Sequence, residues 1–272
     1  MLMVITTAFS GLVPENYDKY LGPVLFEPYA VDLTDRLKSN TLYQVLEIAC
    51  GTGRVTNHLV KVLAKDGLLI ATDLNTGMLE IAKEKITDNK IRWQVANAEE
   101  LPFDDAAFDH VICQFGVMFF PDKLKAFREV YRVLQPGGTF LFNTWDDLKH
   151  NPTSLLVQEV MAEVFKETVP EFMERVPHSF YNQDEIKQWL QEAGFDTINL
   201  EIVSKTSSCV NLEYLINGFL NGTPLSVFLK QQPDDLQAAV WQQLKERIMS
   251  RSENGHMEVQ MQAIVCQALR RK

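Results

Sequence analysis

The residues best placed to do chemistry lie in one stretch, Val45–Gly53, where an apolar run ends in an acid and then in a glycine-rich turn. The first four residues, Val45–Ile48, have the aliphatic character of a strand buried on both faces. The following segment, Arg54–Leu63, has helical apolar spacing. Gly51 and Gly53 therefore lie at a strand-to-helix junction. Glycine lets a ligand approach the backbone there, and the free N–H groups of the helix start can bind it.

A second acid, Asp73, follows the predicted strand Leu68–Asp73 and lies 20 residues after Gly53. This spacing suits a strand–helix–strand unit, which brings both groups to one edge of a parallel sheet. A carboxylate there can accept hydrogen bonds from both ribose hydroxyls of an adenosine, whether the ligand is NAD or S-adenosylmethionine (SAM). The alternative role is a cap for the helix that begins near Thr76.

The glycine pattern separates these two ligands. A dinucleotide fingerprint requires a third glycine where this chain has Thr56. The chain instead has Glu47 followed by Ala49, Gly51 and Gly53, which resembles the first motif of class I SAM-dependent methyltransferases. Ala49 replaces the first glycine of that motif. The alternative is a glycine turn with no ligand, as found in many α/β proteins.

Hydrophobic periodicity places the remaining elements around this turn. We predict a Rossmann-like, doubly wound α/β sheet of seven strands, mainly parallel with an antiparallel last strand, together with helical cap insertions. The predicted helices are Arg54–Leu63, Thr76–Lys85, Lys123–Leu134 and Asp184–Ala193, the last capped by Gly194. The predicted strands are Val45–Ile48, Leu68–Asp73, Ile91–Ala96, Phe108–Gln114, Phe140–Trp145, Asp196–Val203 and Met257–Leu269.

These elements predict a core interrupted by caps. Residues 1–40 form an N-terminal helical cap, in which Pro23 and Pro28 favour two or three short helices. The SAM-binding core spans 41–145. Long excursions from a compact core are usually lids or binding segments, so 146–195 and 205–255 should cover the carboxyl ends of the strands. Residues 196–204 and 256–272 supply the edge strands that complete the sheet.

Further motifs resemble the type 11 methyltransferases, which include relatives of quinone-biosynthesis enzymes. They are Ala98–Phe103, the Phe108–Asp109 pair, Val133–Gly138 and Gln191–Phe195. The resemblance implies that Asn97 and the backbone of Ala98 contact the adenine edge, and that Leu74 and Met78 pack beside its face. It also implies that Gln114 stands near the methionine moiety. Tyr20 or Phe26, in the cap, is expected to line the ligand site.

Composition narrows the class of partner. The 272-residue chain has a formal net charge of −10, which opposes binding to nucleic acid. No apolar run approaches the roughly 20 residues of a membrane-spanning helix. No secretion signal is recognisable, and the four widely spaced cysteines are typical of a reducing compartment, so we predict a cytoplasmic protein. No metal-ligand spacing is present. The sequence does not indicate an oligomeric state.

The predicted function is methyl transfer from SAM to a small acceptor of apolar or lipid-like character. The segment Gln114–Val117 differs from the Asn/Asp-Pro-Pro-aromatic motif of enzymes that methylate nucleic-acid amino groups. A general base is needed only if the acceptor loses a proton, and His150 and His178 are the candidates. Two alternatives remain, an NAD-dependent oxidoreductase on the same fold and a non-catalytic SAM-fold binding protein.

Overall fold

The computed structural model describes residues 11–38, 41–166 and 172–272. Its centre is one sheet of seven strands, numbered here in chain order. They are β1 Leu42–Glu47, β2 Leu63–Asp73, β3 Ile91–Val95, β4 Phe108–Gln114, β5 Leu134–Trp145, β6 Thr197–Cys209 and β7 Met257–Leu269. Their spatial order is β3-β2-β1-β4-β5-β7-β6. Strands β1 to β5 are parallel, and β7 is antiparallel to both β5 and β6, so the predicted fold class is confirmed.

Helices pack around this sheet and above its carboxyl edge. They are α1 Val13–Asn16, a π-helix Tyr17–Phe26, α2 Glu27–Asp35, α3 Thr56–Val62, α4 Thr76–Lys85, α5 Lys123–Val133, α6 Pro152–Phe165, α7 Phe172–Arg175, α8 Gln183–Ala193, α9 Leu212–Asn221, α10 Leu225–Leu229 and α11 Asp234–Ser250. Two short 3₁₀ turns, Val117–Phe119 and Leu148–His150, follow β4 and β5. Within the described ranges, no helix combines the length and the apolar character needed to cross a bilayer.

The direction in which successive strands are added reverses between β1 and β4, which lie side by side. In open α/β sheets, such a switch point leaves a crevice at the carboxyl ends of the two strands, and ligands bind there. The glycine turn follows β1, and Gln114 ends β4. The topology therefore brings both predicted motifs to one crevice.

The N-terminal cap differs from the prediction of two or three separate helices. Residues 13–35 remain helical throughout, and the backbone changes its hydrogen-bond register at the π-helix instead of breaking. Pro23 lies inside that π-helix, and Pro28 is the second residue of α2, directly after the change of register. A wider helical register thus accommodates the prolines.

The last two strands are longer on one side than the sheet they complete. β6 and β7 pair without a break from Thr197 and Leu269 to Cys209 and Met257, whereas β5 pairs with β7 only as far as Ala263. The hairpin therefore projects beyond the sheet. The prediction ended β6 at Val203, which is followed by the polar residues 204–208. This edge strand exposes alternate side chains there, so the polar residues do not end it.

Candidate active site

The glycine turn and Asp73 meet at the carboxyl edge of the sheet. Gly51 has φ +56°, a left-handed conformation that favours glycine. Its N–H donates a hydrogen bond of 2.8 Å to Oδ2 of Asp73. Both residues line one cavity above the carboxyl edge of the sheet. The structure therefore brings the two halves of the predicted adenosine site together.

Ala49, which replaces the first glycine of the motif, also adopts a left-handed conformation, with φ +52°. A Cβ atom at Gly116, in the loop after β4, would lie 2.6 Å from the Ala49 Cβ and 2.7 Å from the Cys113 Sγ. The methyl group of Ala49 is therefore accommodated because the facing loop has no side chain at residue 116. Ala49 and Gly116 both line the cavity.

Asp73 keeps its carboxylate in a network of backbone donors. Oδ1 accepts the N–H of Asn75 at 2.8 Å, while Oδ2 accepts that of Gly51. Burial raises the pKa of Asp73, and these N–H groups oppose the rise because they stabilise the ionised form. The helix after Asp73 is capped by Asn75, whose Oδ1 accepts the Met78 N–H, so the predicted capping role belongs to Asn75. Leu74 and Met78 line the cavity beside the carboxylate.

Glu47 and Gly53 lie behind the turn and outside the residues that line the cavity. Thr56 donates its hydroxyl to Oε2 of Glu47 at 2.6 Å, which ties β1 to α3. Burial raises the pKa of Glu47 to about 8. Gly53 has φ +79°, and a Cβ there would lie 2.8 Å from Ile86 Cδ1. Both residues therefore shape the turn from behind. The sequence analysis had assigned them to the cofactor site, but they do not line the cavity.

The end of β3 lines the same side of the cavity with Asn97, Ala98 and Glu99. Oδ1 of Asn97 accepts the Glu99 N–H at 3.0 Å, and an amide oxygen retains a second lone pair for a ligand donor. Glu99 Oε1 accepts the backbone N–H of Asp122 at 2.9 Å, which fixes the loop before α5. Sequence reasoning quoted Glu99 as part of a motif without assigning it to the site.

Gln114 lies between this region and the rest of the cavity. Its Oε1 is buried and has no hydrogen-bond partner among the described residues. The next residue, Phe115, has φ +50°, and its N–H donates to Oδ1 of buried Asn143 at 2.8 Å. This strained turn stacks Phe115 on Trp145, with ring centroids 3.9 Å apart. The stack forms an aromatic wall beside an unpaired amide oxygen.

The N-terminal cap closes one side of the cavity, but Tyr20 is not among the residues that line it. Tyr17, Leu21, Leu25 and Phe26 line it, whereas Tyr20 lies outside and packs against Tyr214, with centroids 4.9 Å apart. A π-helix has i→i+5 hydrogen bonds, so residues four and five apart share a face and Tyr20 points elsewhere. The structure therefore places Phe26, the alternative to Tyr20, at the cavity and places Tyr20 away from it.

Ion pairs attach this cap to the glycine turn. Asp18 Oδ1, on the π-helix, accepts from Thr52 Oγ1 at 2.7 Å and from Arg54 Nη2 at 3.0 Å. The Lys85 ammonium contacts the same oxygen. Arg54 Nη1 also reaches Glu27 at 3.2 Å. We call these contacts the Asp18 latch, since they hold the cap over the turn.

The cavity continues past β4 toward β5 and β7 as a chamber with mainly apolar walls. Its walls include Phe172 and Met173 of α7, Phe219 of α9, and Val259 and Met261 of β7. The projecting end of the β6–β7 hairpin is therefore one wall. Sequence reasoning missed this wall because ligand contacts were expected at the carboxyl ends of parallel strands, and β7 enters this edge from its amino end.

The two candidate histidines differ in position. His178 lines the chamber and is 3% exposed, and its Nδ1 lies 2.8 Å from the backbone oxygen of Asp146. Burial lowers the pKa of His178 to about 4. The side chain of His150 is 44% exposed, pairs with the Asp146 carboxylate at 3.2 Å, and lies outside the cavity-lining set. Only His178 can contact a molecule bound in the chamber. Within the described ranges, no group of three acidic, His or Cys side chains could hold a metal ion.

A family profile matches residues 29–213 of this chain, which is most of its length. The chain belongs to the ubiE/COQ5 methyltransferase family. Its membership confirms the resemblance to class I SAM-dependent methyltransferases of the quinone-biosynthesis type, and with it the expectation of a methyltransferase that uses SAM. The alternative of an NAD-dependent oxidoreductase does not agree with this membership.

Two curated relatives illustrate the family. The ubiquinone/menaquinone biosynthesis C-methyltransferase of Haemophilus ducreyi is 31% identical over 169 residues, which cover 57% of this chain and 65% of that protein. This chain therefore spans slightly less than two thirds of that relative. The demethylmenaquinone methyltransferase of Staphylococcus aureus is 27% identical over 219 residues, which cover 74% of this chain and 89% of that protein.

A solved structure agrees in fold. Phosphoethanolamine N-methyltransferase 2 of Haemonchus contortus, in complex with S-adenosyl-L-methionine, matches with a TM-score of 0.59 and 17% identity. The match covers 100% of this chain and 57% of that one. At this identity the likeness concerns the fold alone, so what this ubiE/COQ5 family member methylates has to be argued from its own chamber.

Proposed function

We propose that this protein transfers the methyl group of SAM to a ring carbon of a quinone-like acceptor. The observation that carries the proposal is the Gly51–Asp73 contact at one end of a cavity whose other end is an apolar, aromatic-walled chamber. One end suits an adenosine and the other suits an uncharged ring. Gln114 and Phe115 mark the boundary between the two ends.

At the adenosine end, the residues present fit SAM. Asp73 would accept the ribose hydroxyls, and Leu74 and Met78 would pack on the adenine. Asn97 and Ala98 would contact the adenine edge, while Ala49 and Gly51 allow close approach to the backbone. The unpartnered Oε1 of Gln114 is a hydrogen-bond acceptor that a bound ligand would satisfy. When bound, SAM supplies an activated methyl group on a cationic sulfur.

At the acceptor end, charge argues for a neutral substrate. Among the described residues that line the cavity, the carboxylates are Asp73 and Glu99, both at the adenosine end, and no Lys or Arg lines it. An ammonium or carboxylate acceptor would be buried in this chamber without a counter-ion, which is costly. A quinone-like ring, as named for the two relatives, needs none. The chain's work is then alignment and exclusion of water.

Calorimetry with S-adenosylhomocysteine (SAH) tests the adenosine site. We expect Asp73→Ala to weaken binding roughly 100-fold, because it removes two hydrogen bonds to a charged acceptor. Asp235→Ala, an exposed acid on α11, is the matched control and should bind as the wild type does. Wild-type affinity in the folded Asp73→Ala variant would refute the proposed orientation of the adenosine.

Turnover separates an enzyme from a non-catalytic binding protein. Wild-type protein incubated with SAM and a demethylated naphthohydroquinone should release SAH and a ring-methylated product, and Asp73→Ala should release far less. Cofactor binding without turnover on quinone-like acceptors would favour the non-catalytic alternative.

The cytoplasm remains our proposed location. Cys50, Cys113, Cys209 and Cys266 are all buried free thiols, as expected in a reducing compartment. Fractionation of cells that express the protein, in the presence and absence of high salt, tests this location. The acidic composition likewise supports the proposal that nucleic acid is not a partner.

A further inference from the structure

Two of the buried polar side chains that line the chamber belong to α6 and to the segment after α7. His178 and Thr153 are each 3% exposed, and both line the cavity. They belong to separate segments, since Thr153 lies in the first turn of α6 and His178 follows α7. The adenosine site described above uses neither of them.

The backbone fixes the tautomer of His178. Its Nδ1 lies 2.8 Å from the carbonyl oxygen of Asp146, and a carbonyl only accepts hydrogen bonds. Nδ1 therefore carries the proton of the neutral ring, and Nε2 carries the lone pair. The Asp146 backbone is itself held, because its N–H donates to the Gln262 carbonyl at 3.1 Å and its carbonyl also accepts from Asn151 Nδ2 at 3.3 Å. The ring is thus anchored to β7.

Thr153 provides an independent observation. Its Oγ1 is buried and has no hydrogen-bond partner among the described residues. Leaving a buried hydroxyl unsatisfied is unfavourable, so a native structure with such a group in a ligand cavity suggests that a ligand satisfies it. These two side chains therefore offer the chamber a hydrogen-bond acceptor, His178 Nε2, and a hydroxyl that can donate.

We propose that His178 accepts the proton of a ring hydroxyl on the acceptor, and that Thr153 hydrogen-bonds an oxygen substituent of the same ring. This proposal rests on the proposed function, because it assumes that the chamber holds the acceptor. His178 is then a catalytic residue that touches the substrate, and His150 has no part in the reaction. An acceptor with a free hydroxyl next to the methylated carbon is the substrate class that this pair would select.

The proton and electron balance follows from that arrangement. As the ring carbon forms its new bond to the methyl group, the methyl–sulfur bond breaks and its electron pair stays on sulfur. The O–H bond of the neighbouring hydroxyl breaks, its pair forms a C=O bond, and its proton moves to Nε2. The ring carbon then loses its own proton to water, and the imidazolium returns its proton to the oxygen. The net products are the methylated ring, a neutral thioether and one proton.

The low basicity of a buried imidazole is compatible with this role. Burial lowers the pKa of His178 to about 4, so the ring is unprotonated and ready to accept at neutral pH. A ring hydroxyl is too weak an acid to give up its proton beforehand. It becomes strongly acidic as the neighbouring carbon bonds to the methyl group, so the proton moves during methyl transfer and not before it.

Ligand binding to the SAH-loaded protein tests the subsite without turnover. By calorimetry we expect 1-naphthol to bind roughly tenfold more tightly than 1-methoxynaphthalene, which lacks the donated proton. His178→Phe should abolish this ratio, Thr153→Val should weaken the binding of both ligands without changing their ratio, and the matched control His150→Phe should leave affinities and ratio unchanged. A ratio near one in the wild type, or a full ratio in folded His178→Phe, would overturn the proposal.

A conservative variant separates proton transfer from packing. The Gln side chain in His178→Gln can donate to Asp146 and accept from a hydroxyl, so it should keep the binding ratio and remain folded even if His178→Phe does not. Because an amide is not a base, kcat with 1,4-dihydroxynaphthalene should fall about 100-fold or more while KM changes little. Wild-type kcat in His178→Gln, or no turnover of this acceptor by the wild type, would contradict the role.

SAH calorimetry distinguishes the two failures. If SAH does not bind to the wild type, the proposed function itself is wrong. If SAH binds and the naphthol ratio is near one, the adenosine site stands and only the assignment of His178 and Thr153 falls.

Discussion

At the scale of single residues, the crevice can hold the methyl group of Ala49 because the facing residue is Gly116. The motif position occupied by Ala49 has a left-handed backbone, which disfavours a side chain. The chain tolerates this methyl group because Gly116 leaves room for it across the crevice. Neither residue can be understood alone, so their effects on stability should not be additive.

This coupling gives a measurable prediction. Gly116→Ala should lower the free energy of unfolding by about 1–3 kcal/mol, since its Cβ meets both Ala49 and Cys113. Adding Ala49→Gly should recover at least about 0.5 kcal/mol beyond the effect of Ala49→Gly alone, because one of the two clashes is then relieved. Urea unfolding of the two single variants and the double variant measures this. Strictly additive values would show that the two residues do not interact.

At the scale of elements, the N-terminal cap covers the glycine turn of the proposed adenosine site. The π-helix places Tyr17 and Phe26 over the cavity, with their rings stacked at 4.7 Å. The Asp18 latch joins that helix to Thr52 and Arg54 on the glycine turn. On the proposed binding mode, SAM would lie under the cap, and we expect its release to require these contacts to loosen.

We expect Asp18→Asn to speed SAH dissociation about threefold to tenfold, because it weakens two partly exposed ion pairs. Salt should accelerate dissociation in the wild type and have less effect in the variant. Stopped-flow displacement measures both rates. Asp35→Asn is the control, since its carboxylate is exposed and pairs with Lys38 away from the turn. Equal rates for Asp18→Asn and the wild type would exclude a role for the latch in release.

At the scale of the whole molecule, the cavity is assembled from segments far apart in the chain. Its lining residues come from the N-terminal cap, from the ends of β1 to β5 and of β7, and from α6, α7 and α9. The residues proposed for the adenosine end all lie in the N-terminal half of the chain. Ligands at the two ends should therefore protect different parts of the backbone.

Hydrogen exchange with SAH tests this division. Exchange should slow in residues 13–26, 49–53, 73–78 and 97–99, which surround the adenosine end. Exchange in α11, which contributes no lining residue, should be unchanged. Protection in α11 equal to that in the glycine turn would indicate a global change in stability, and no protection in 73–78 would contradict the proposed site.

The sequence by itself determined the elements whose patterns are local. The predicted bounds agree with the structure for the helix Thr76–Lys85 and for the strands Phe108–Gln114 and Met257–Leu269. Gly194 ends its helix with φ +112°, as expected. Strand–helix–strand spacing also sufficed to bring Gly51 and Asp73 together. Such features follow from periodicity and turn chemistry within a few tens of residues.

Only the tertiary structure decided which side chains face the cavity. The π-helical register turns Tyr17 toward the cavity and Tyr20 away from it. His178 lines the cavity and is held by the Asp146 carbonyl, whereas His150 lies outside. Packing leaves the Thr153 hydroxyl without a partner among the described residues. The direction of a side chain toward a cavity depends on backbone register and on neighbours from distant segments. A local sequence pattern specifies neither of them.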